Sequence, residues 1–318
     1  MATPLLTIQI VTWNSASHMP TTLAALKDLP AALAHVRVID NHSSDNTVAL
    51  VQSLLPTADV IELPHNIGFA VAHNLGFAKC STEFVMTHDP DVSLLSDALP
   101  ELLAAFEDGT VAAVQGKLYR RETAADGRGI IDSAGIVHTA TLNGRERGAG
   151  EVDTGQYNAP EKLLAVTGAG GIFRMSALQA VAHHDSHGPQ IFDEDFFAYK
   201  EDVDLGWRLN RAGFTCLYEP VVMGTHARTL GKRGSLPWFL DPAQAFKRLA
   251  SIRTRYSIRN YVWMLIKNIS WQEEIIYGIP IATRLLIMLA ATIIFFPLLP
   301  VWFEVVEKLP DMVHKRHH

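Results

Sequence analysis

The chain has 318 residues, of which 48% are hydrophobic and 19% are charged, and its formal net charge is −6 at pH 7. A chain of this composition can bury a large core, and about 240 residues suit a single α/β domain. The negative charge argues against nucleic acid as a partner. Cys80 and Cys216 show no metal-ligand spacing, so a reducing compartment is expected. Residues 1–4 lack a basic region, and we expect no secretory signal peptide there.

Strand-like and helix-like patterns alternate through the first part of the chain. Short apolar runs predict buried strands, and segments that begin with Ser, Thr, Asp or Asn predict capped helices. The predicted order is a strand over 6–13, a helix from 14–17 to about 29, a strand over 36–40, a helix over 47–55, a strand over 59–63 and a helix over most of 66–76. This alternation predicts a mostly parallel, doubly wound α/β sheet, with Trp13 and Asp40 at the carboxyl edge where ligands bind.

The next predicted strand ends in a pair of carboxylates. Residues 83–88 are largely apolar and lead into Asp89-Pro90-Asp91, where the proline prevents the strand from continuing as a central member of the sheet. Mg²⁺ and Mn²⁺ favour carboxylate oxygens, often together with substrate phosphates. We therefore expect this pair to hold a divalent cation on a nucleotide diphosphate. An ordinary Asp-Pro turn is the alternative.

Acidic and aromatic side chains are concentrated in residues 193–213. The pattern predicts a helix that begins at Glu201 and Asp202 and ends before Gly213. Helix capping does not require the three further carboxylates at 193–195. So many carboxylates repel one another unless a cation or a shared proton lies among them. We interpret this segment as a functional site, and the alternative is a solvated acidic loop that leads into a capped helix.

The C-terminal third contains a long apolar run over 275–303, which is interrupted by Arg284. Its densest part is 285–296. The stretch 285–303 is nearly long enough to span a bilayer, but Pro297 and Pro300 should break its last turns. Basic residues lie on both sides of the run, so the positive-inside tendency gives no reason to translocate the C-terminus. We expect a re-entrant or in-plane helix on the cytoplasmic face rather than a true span. A buried helix at an oligomer interface is the alternative.

Several motifs occur in an order that resembles a known family. They are Val11-Thr-Trp-Asn-Ser15, Val38-Ile-Asp-Asn41, Asn66-Ile-Gly-Phe-Ala70, Asp89-Pro-Asp91, Thr167-Gly-Ala-Gly-Gly-Ile-Phe-Arg174, Phe192-Asp-Glu-Asp-Phe-Phe-Ala-Tyr-Lys-Glu-Asp-Val-Asp-Leu205 and His226. Over residues 5–265 the chain resembles the inverting family-2 glycosyltransferases of the GT-A fold. Within that family it is most similar to the bacterial rhamnosyltransferase-like group.

The resemblance implies a GT-A nucleotide-diphospho-sugar transferase fold, which is Rossmann-like with a mostly parallel sheet. We expect a catalytic domain over 1–240, with a nucleotide-binding half over 1–115 and an acceptor-binding half over 116–240. Residues 241–318 then form a C-terminal region that is helical, basic and apolar and associates with the membrane.

The resemblance also implies roles for the acidic residues. Asp202 is expected to be the base that takes the proton of the acceptor hydroxyl, with Glu201 as the second choice. Asp91, assisted by Asp89, is expected to hold Mg²⁺ or Mn²⁺ on the diphosphate, and His226 could complete the metal shell or contact a phosphate. A packed histidine is the plain alternative for His226.

Further residues are expected to bind the donor or the acceptor. Asp40 should accept a hydrogen bond from the imide N–H of a pyrimidine, as its family counterpart does. The remaining nucleotide- and donor-binding candidates are Thr12, Asn14, Asn66, Gly68 and Asn74, together with Asp89 and Asp91, and the loop Gly168, Ala169, Gly170 and Gly171 should allow close approach of the donor sugar or acceptor.

By this resemblance the chain transfers a sugar from a nucleotide-sugar donor to a lipid-linked glycan in bacterial cell-surface polysaccharide synthesis. The expected donor is dTDP-rhamnose, and the acceptor is a glycan on a polyprenyl diphosphate. A hexosyl- or galactofuranosyltransferase that uses a UDP-sugar is the alternative enzyme, and a catalytically silent, membrane-bound carbohydrate-binding scaffold is the alternative of another class. The expected location is the cytoplasmic face of the inner membrane, where the protein binds membrane lipid and could form a homo-oligomer.

The sequence also departs from the family pattern. Trp13 stands where the group usually has Tyr, and Asp89 stands where rhamnosyltransferase-like members often have Asn. Residues 178–191, with His183, His184 and His187, replace a short Gly-Gly linker. Because no cysteine or ordered ligand spacing accompanies these histidines, a polar surface insertion is expected rather than a metal site.

Overall fold

The computed structural model describes residues 4–185, 188–228 and 251–316. The chain divides into two compact units. The first, called here the sheet unit, comprises Met1–Val137, Glu146–Phe197 and Glu201–Arg228. The second, called the helical unit, comprises His138–Arg145, Ala198–Lys200 and Thr229–His318. The predicted boundary at residue 240 lies outside the described residues and stays a prediction.

Alternating strands and helices build the sheet unit. The described strands are β1 (Leu6–Thr12), β2 (Ala34–Asp40), β3 (Asp59–Glu62), β4 (Phe84–His88), β5 (Val92–Leu94), β6 (Val111–Thr123), β7 (Gly129–Ser133), β8 (Ile136–Val137), β9 (Arg145–Glu146), β10 (Glu161–Leu163), β11 (Ile172–Arg174), β12 (His183–Asp185), β13 (Gly188–Gln190) and β14 (Thr215–His226). The described helices of this unit are α1 (Met19–Leu26), α2 (Thr47–Leu54), α3 (Phe69–Ala78), α4 (Leu99–Ala104), α5 (Met175–Ala180) and α6 (Glu201–Arg211).

The main sheet is mixed but mostly parallel along its length, as predicted. Its strand order is β10-β14-β6-β11-β4-β1-β2-β3, with β5 paired to β14 and β7 paired to β6. Strands β3, β2, β1 and β4 run parallel to one another, and β14 runs parallel to β6. Strand β11 is antiparallel to both of its neighbours, β4 and β6. The carboxyl ends of β1, β2 and β4 therefore meet at one edge of the sheet.

Apolar side chains cover both faces of the sheet. Along β4, Phe84 and Met86 join one buried cluster, whereas Val85 joins the other. This alternation follows from the two-residue period of a strand. Since each face carries its own core, β1 and β4 are buried along nearly their whole length, as a sheet with helices on both faces requires.

The N-terminal elements agree with the predicted order, and the helix boundaries differ locally. Helix α1 begins only at Met19, because Asn14 adopts a φ of 51° and its backbone N–H donates to Ser43 Oγ at 2.9 Å. Helix α3 begins at Phe69 rather than near Asn66, because Gly68 has a φ of 88°, which a helix cannot contain. Helix α6 begins at Glu201 as predicted.

The segment 178–191 contains the hairpin of β12 and β13. His184 is exposed, but His183 is buried, so the prediction of a polar surface insertion is wrong for that residue. His187 lies outside the described residues.

Four described helices form most of the helical unit: α7 (Ile252–Asn268), α8 (Trp271–Ile294), α9 (Leu299–Glu307) and α10 (Leu309–Arg316). Helix α8 is the one helix in the described part of the chain that is long and apolar enough to cross a membrane. It begins earlier than the dense run 285–296, because Ser270 and Glu273 form a capping box. A 3-10 turn at Phe296–Leu298, which contains Pro297, ends the apolar helix as predicted.

Candidate active site

Polar side chains tie together the loops that follow β1 and β2. Asp40 accepts hydrogen bonds from Thr12 Oγ1 at 2.9 Å, from the Ser43 N–H at 2.8 Å and from Ser43 Oγ at 2.5 Å. Asn14 Oδ1 accepts from the Ser44 N–H at 2.8 Å. These bonds fix the shape of the sheet edge at which a nucleotide is expected. The pyrimidine contact of Asp40 stays a prediction, and its carboxylate is already oriented by the loop.

The start of α3 packs closely against the acidic segment. A Cβ on Gly68 would lie 2.6 Å from the ring of Phe197, so glycine is required by contact as well as by its positive φ. The Phe69 N–H donates to the Phe197 carbonyl at 2.7 Å, and Asn66 Oδ1 accepts from the Gly68 N–H at 3.0 Å. Gly68 therefore allows the acidic segment to approach the helix.

Asn74 binds the backbone of the acidic segment. Its Nδ2 donates to the Phe192 carbonyl at 2.8 Å and to Glu194 Oε1 at 2.9 Å, and its Oδ1 accepts from the Phe192 N–H at 3.0 Å. Because both ends of the amide are engaged, the side chain positions this segment. Direct contact of Asn74 with the donor stays a prediction.

The predicted metal residues lie together. Pairing of β14 with β5 sets His226 opposite Val92, and the Ala227 N–H donates to the Asp91 carbonyl at 2.9 Å. His226 Nε2 consequently lies 3.0 Å from Asp91 Oδ1. One potential ligand atom from each of Asp89, Asp91 and His226 lies within 4.8 Å of the others. Two carboxylates and one imidazole suit a divalent cation such as Mn²⁺ or Mg²⁺.

Burial and charge shift the pKa values of these three groups. Desolvation raises the pKa of Asp89 to about 6. Burial opposes ionisation of Asp91, but the hydrogen bond from His226 prevails and lowers the pKa of Asp91. Burial also opposes protonation of His226, but hydrogen bonds with Asp132 and Asp91 prevail and raise the pKa of His226 to about 9. The imidazole is thus held between two carboxylates.

Asp132, at the end of β7, holds the far side of the imidazole. Its Oδ2 lies 2.9 Å from His226 Nδ1 and 3.2 Å from Arg228 Nε, and its Oδ1 lies 3.7 Å from Arg120 Nε. The Asp132 side chain is only 1% exposed. A buried carboxylate on Nδ1 orients the ring and directs Nε2 towards the metal position, an arrangement common behind metal-binding histidines.

Glu146 and Arg228 continue the same chain of charges. Arg228 Nη2 lies 3.5 Å from Glu146 Oε1, and Ser133 Oγ donates to Glu146 Oε2. Burial, against the hydrogen bond from Ser133 and with the negative charge of Asp202 acting in the same direction, raises the pKa of Glu146 to about 7. Glu146 is therefore a carboxyl group that exchanges its proton near neutral pH and lies within electrostatic reach of Asp202.

The glycine loop joins Asp202 to the Asp89 turn. The Gly168 N–H donates to Asp202 Oδ2 at 3.3 Å, and the Asp89 N–H donates to the Ala169 carbonyl at 3.2 Å. Asp202 is half-buried, whereas Glu201 is buried with 7% of its surface exposed. The charge of Asp202 also raises the pKa of Asp89. The structure thus brings the predicted base, the glycine loop and the predicted metal residues into one site.

Asp132, Glu146 and Arg228 are site residues that the sequence interpretation missed. Asp132 closes a short apolar run, Ile130-Ile131-Asp132, and a strand that ends in a carboxylate is the same signal that indicated Asp40. Glu146 lies in a charged stretch that resembles any solvated loop, and Arg228 follows His226 without a recognisable pattern.

Comparison with known proteins gives consistent matches. Residues 7–182, which are more than half of the chain, match the family described as Glycosyl transferase family 2. A pre-mycofactocin glycosyltransferase of Mycobacterium tuberculosis is 30% identical over 229 residues, which are 69% of this chain and 42% of the relative. A poly-beta-1,6-N-acetyl-D-glucosamine synthase of Staphylococcus aureus is 26% identical over 225 residues, which are 69% of this chain and 48% of the relative. The chain therefore spans less than half the length of these curated relatives.

Solved structures support the same fold. GalNAc-T7, crystallised with UDP, GalNAc and Mn²⁺, has a TM-score of 0.59 at 13% identity and covers 83% of this chain and 48% of its own. The mannosyltransferase PcManGT of Pyrobaculum calidifontis, in complex with GDP-Man and Mn²⁺, has a TM-score of 0.51 at 16% identity. The match covers 98% of this chain and 87% of that structure's chain. With the family match over residues 7–182 and this GT-A fold, the chain belongs to glycosyl transferase family 2.

Proposed function

We propose that this chain transfers a sugar from a nucleotide-diphosphate donor to an acceptor hydroxyl, with inversion at the anomeric carbon. The observation that carries the proposal is the single charged network that contains both the Asp89, Asp91 and His226 group and Asp202. The first three side chains suit a cation on the leaving diphosphate, and Asp202 suits a base for the attacking hydroxyl.

Asp89, Asp91 and His226 would hold the divalent cation. When bound there, the cation would supply positive charge to the departing diphosphate. Asp132 would hold the ring of His226 through Nδ1, at 2.9 Å. Arg228, whose side chain is 38% exposed, carries a second positive charge next to this group and could contact the phosphates. Mn²⁺ and Mg²⁺ both fit this set of ligands, and the two solved neighbours that contain Mn²⁺ favour testing that ion first.

Asp202 would perform the proton transfer. The acceptor O–H gives its proton to the Asp202 carboxylate while the acceptor oxygen attacks the anomeric carbon. The bond from that carbon to the diphosphate oxygen breaks, and its electron pair stays on the diphosphate. The Gly168 N–H, at 3.3 Å, holds Asp202 Oδ2 in place, and the half-exposed position of Asp202 favours it over the buried Glu201.

The donor is proposed as dTDP-rhamnose on the strength of the sequence resemblance. A UDP-hexose or UDP-galactofuranose is the alternative. Nucleoside diphosphates in the solved neighbours, UDP in one and GDP-mannose in the other, support this class of donor without selecting a sugar. Sugar selectivity depends on the shape of the pocket.

A panel of nucleotide sugars tests the proposal. The purified full-length protein is incubated with dTDP-rhamnose, UDP-galactofuranose and several UDP- and GDP-hexoses in Mn²⁺, and release of nucleoside diphosphate is measured. We expect one donor to be hydrolysed much faster than the others. Metal-dependent thermal stabilisation of the protein by UDP and by dTDP is measured in parallel. A folded protein that hydrolyses no donor and is not stabilised by any nucleotide would instead be the carbohydrate-binding scaffold.

We propose further that α8 binds the membrane. One face of this helix is exposed and apolar, through Trp271, Ile275, Ile276, Ile279, Leu286, Ile287, Ile293 and Ile294. On its other face Arg284 stacks on the ring of Tyr261 at 4.7 Å, and Thr292 Oγ1 accepts from Trp302 Nε1 at 2.8 Å. Arg284 and Thr292 thus contact groups inside the helical unit, and the opposite face of α8 is apolar and suits hydrocarbon.

The connections of α8 favour an in-plane helix over a span. Near its first turn, Arg316 of α10 donates to the Ile269 carbonyl at 2.6 Å. After its last turn the chain returns, and Glu304 of α9 pairs with Arg255 and Arg259 of α7 at 3.0 and 2.8 Å. Both ends of α8 are therefore bound to α7, which carries Arg255 and Arg259. If α8 spanned about 30 Å of hydrocarbon, the charged helix α7 would have to lie along it inside the bilayer, so an in-plane position is favoured.

Charge substitution on the exposed face tests membrane binding. Ile279→Asp with Ile293→Asp, at positions 84% and 80% exposed, should abolish sedimentation with phosphatidylglycerol vesicles. It should also reduce transfer to polyprenyl-diphosphate glycans while sparing donor hydrolysis, because a shared surface raises effective concentration only for the lipid acceptor. Leu95→Asp, at an exposed apolar position of the sheet unit, is the matched control. Unchanged sedimentation of the double variant, or a wild type that stays soluble and dimerises, would assign the face to an oligomer interface.

A further inference from the structure

Two short segments of the helical unit lead directly into residues of the candidate site. Residues 138–145 precede Glu146, and residues 198–200 precede Glu201 and Asp202. Within the helical unit, Tyr261 Oη donates to the Thr141 carbonyl at 2.7 Å, and Lys200 Nζ donates to the Asn143 carbonyl at 2.6 Å. The C-terminal helices therefore bind the chain immediately before two site carboxyl groups.

The segment before Asp202 has an unusual backbone. Phe197, Tyr199 and Lys200 have φ values of 62°, 72° and 77°, in the left-handed region that side chains with a Cβ rarely adopt. Three such residues among four persist only where surrounding contacts determine the conformation, and they are common at functional sites. Without those contacts the segment should relax, and the start of α6 should move with it.

Asn260 of α7 provides two of these contacts inside the helical unit. Its Nδ2 donates to the Ala198 carbonyl at 2.9 Å and to the Tyr199 carbonyl at 2.7 Å. Its Oδ1 accepts from Arg259 Nε at 3.1 Å, which fixes the orientation of the amide. Arg259 Nη1 in turn binds Glu304 Oε2 of α9 at 2.8 Å. Asn260 has no exposed surface.

We propose that Asn260 is a positioning residue for sugar transfer, which holds the 198–200 backbone from the C-terminal helices and so fixes Asp202 at the start of α6. This inference rests on the proposed function, in which Asp202 takes the proton of the acceptor. The Asn260 side chain donates its amide hydrogens to two consecutive carbonyls of the strained segment. Arg259, the neighbouring residue of α7, fixes the orientation of that amide. The catalytic geometry then depends on a residue of the C-terminal region.

Asn260→Asp in the full-length protein tests the proposal. The new carboxylate keeps an acceptor for Arg259 but replaces the amide donor by an oxygen that repels the two carbonyls. We expect kcat for transfer to fall about 10- to 100-fold, because a displacement of about 1 Å in a catalytic group costs this much. The donor KM and the Kd for nucleotide with Mn²⁺ should stay within about twofold, since neither depends on the position of a base.

Asn268→Ala is the matched control, because Asn268 is also buried in α7 but donates to the Met264 carbonyl of the same helix at 3.0 Å. The kcat of Asn268→Ala should be near that of the wild type, even if its melting temperature falls as much as that of Asn260→Asp. If Asn260→Asp has a normal kcat, or if both variants lose kcat in proportion to stability, Asn260 does not position the site.

Combination with Asp202→Asn separates this inference from the proposed function. If Asn260 acts through Asp202, adding Asn260→Asp to Asp202→Asn should cause little further loss of kcat. A fully multiplicative loss overturns the positioning role while leaving Asp202 as the base. Near-normal transfer by Asp202→Asn alone overturns the assignment of the base, whatever the Asn260 variant does.

Discussion

Asp132→Asn should weaken metal binding although Asp132 is not a ligand. Asp132 is buried, accepts a hydrogen bond from the His226 ring at 2.9 Å, and forms ion pairs with Arg228 at 3.2 Å and Arg120 at 3.7 Å. The amide can still accept from the His226 ring, but it removes the negative charge that pairs with both guanidinium groups beside the cation position. Changes behind a metal-binding histidine typically cost about 10- to 100-fold in affinity, or roughly 1.4 to 2.7 kcal/mol. We expect at least a tenfold loss.

Calorimetric titration of Mn²⁺ in the presence of saturating UDP or dTDP measures this effect. Asp153→Asn is the matched control, because Asp153 is a largely buried carboxylate that binds Lys117 at 2.7 Å and also accepts from Tyr119, neither of which is a predicted metal residue. That variant should lose stability but keep its Mn²⁺ affinity. Binding within twofold of wild type in Asp132→Asn, combined with loss of binding in Asp91→Ala, would refute the role given to Asp132.

Three further changes have defined outcomes. Asp202→Asn should lower kcat for transfer about a hundredfold or more and leave nucleotide affinity unchanged, as measured by steady-state kinetics and nucleotide binding. A near-normal kcat would show that the base lies elsewhere. In denaturant titrations, Gly68→Ala should lower the free energy of unfolding by at least about 1 to 2 kcal/mol more than Gly127→Ala does. Both glycines have a positive φ, but of the two only Gly68 would bring a Cβ against a neighbouring ring. Equal effects would show that contact with the ring is unimportant. Glu146→Gln should flatten the pH dependence of stability. Burial raises the pKa of Glu146 from 4.5 to about 7, so the native state binds the proton more tightly than the unfolded chain. Relative to the variant, the wild type should therefore gain about 3 kcal/mol of stability as the pH falls through this window. Parallel curves for the two proteins would contradict the burial of this carboxyl.

The N-terminal fold and the predicted metal residues follow from local sequence signals. Strand β4 is a short apolar run, and Pro90 ends it, so Asp89 and Asp91 had to lie beyond a strand terminus. Helix α6 carries acidic residues in its first turn and Gly213, at a φ of 87°, after its last. Such signals act over a few residues and are legible without knowledge of the neighbouring strands.

The remainder of the site depends on strand register, which local sequence does not encode. His226 meets Asp132 because β14 pairs with β6, which in turn pairs with β7. The register sets His226 opposite Arg120 and Leu118 opposite Ser133, and His226 and Asp132 are 94 positions apart along the chain. A one-residue shift of either pair would turn these side chains to the other face.

In the C-terminal region the sequence located the apolar run and its proline stop but not the start of the helix. Helix α8 extends 14 residues upstream of the dense run, to Trp271, because its amphipathic first half carries Glu273 and Glu274 in the first turn. The contacts of Asn260 with the 198–200 backbone were equally hidden, since they join residues about 60 positions apart.

Anomalous scattering from Mn²⁺ in crystals of the full-length protein grown with UDP or dTDP tests the central claim most directly. The account predicts one strong peak within about 2.5 Å of a carboxylate oxygen of Asp91 and of His226 Nε2, with diphosphate oxygens completing its shell. A nucleotide bound without a peak at Asp89, Asp91 and His226, or a peak at other side chains, would contradict it.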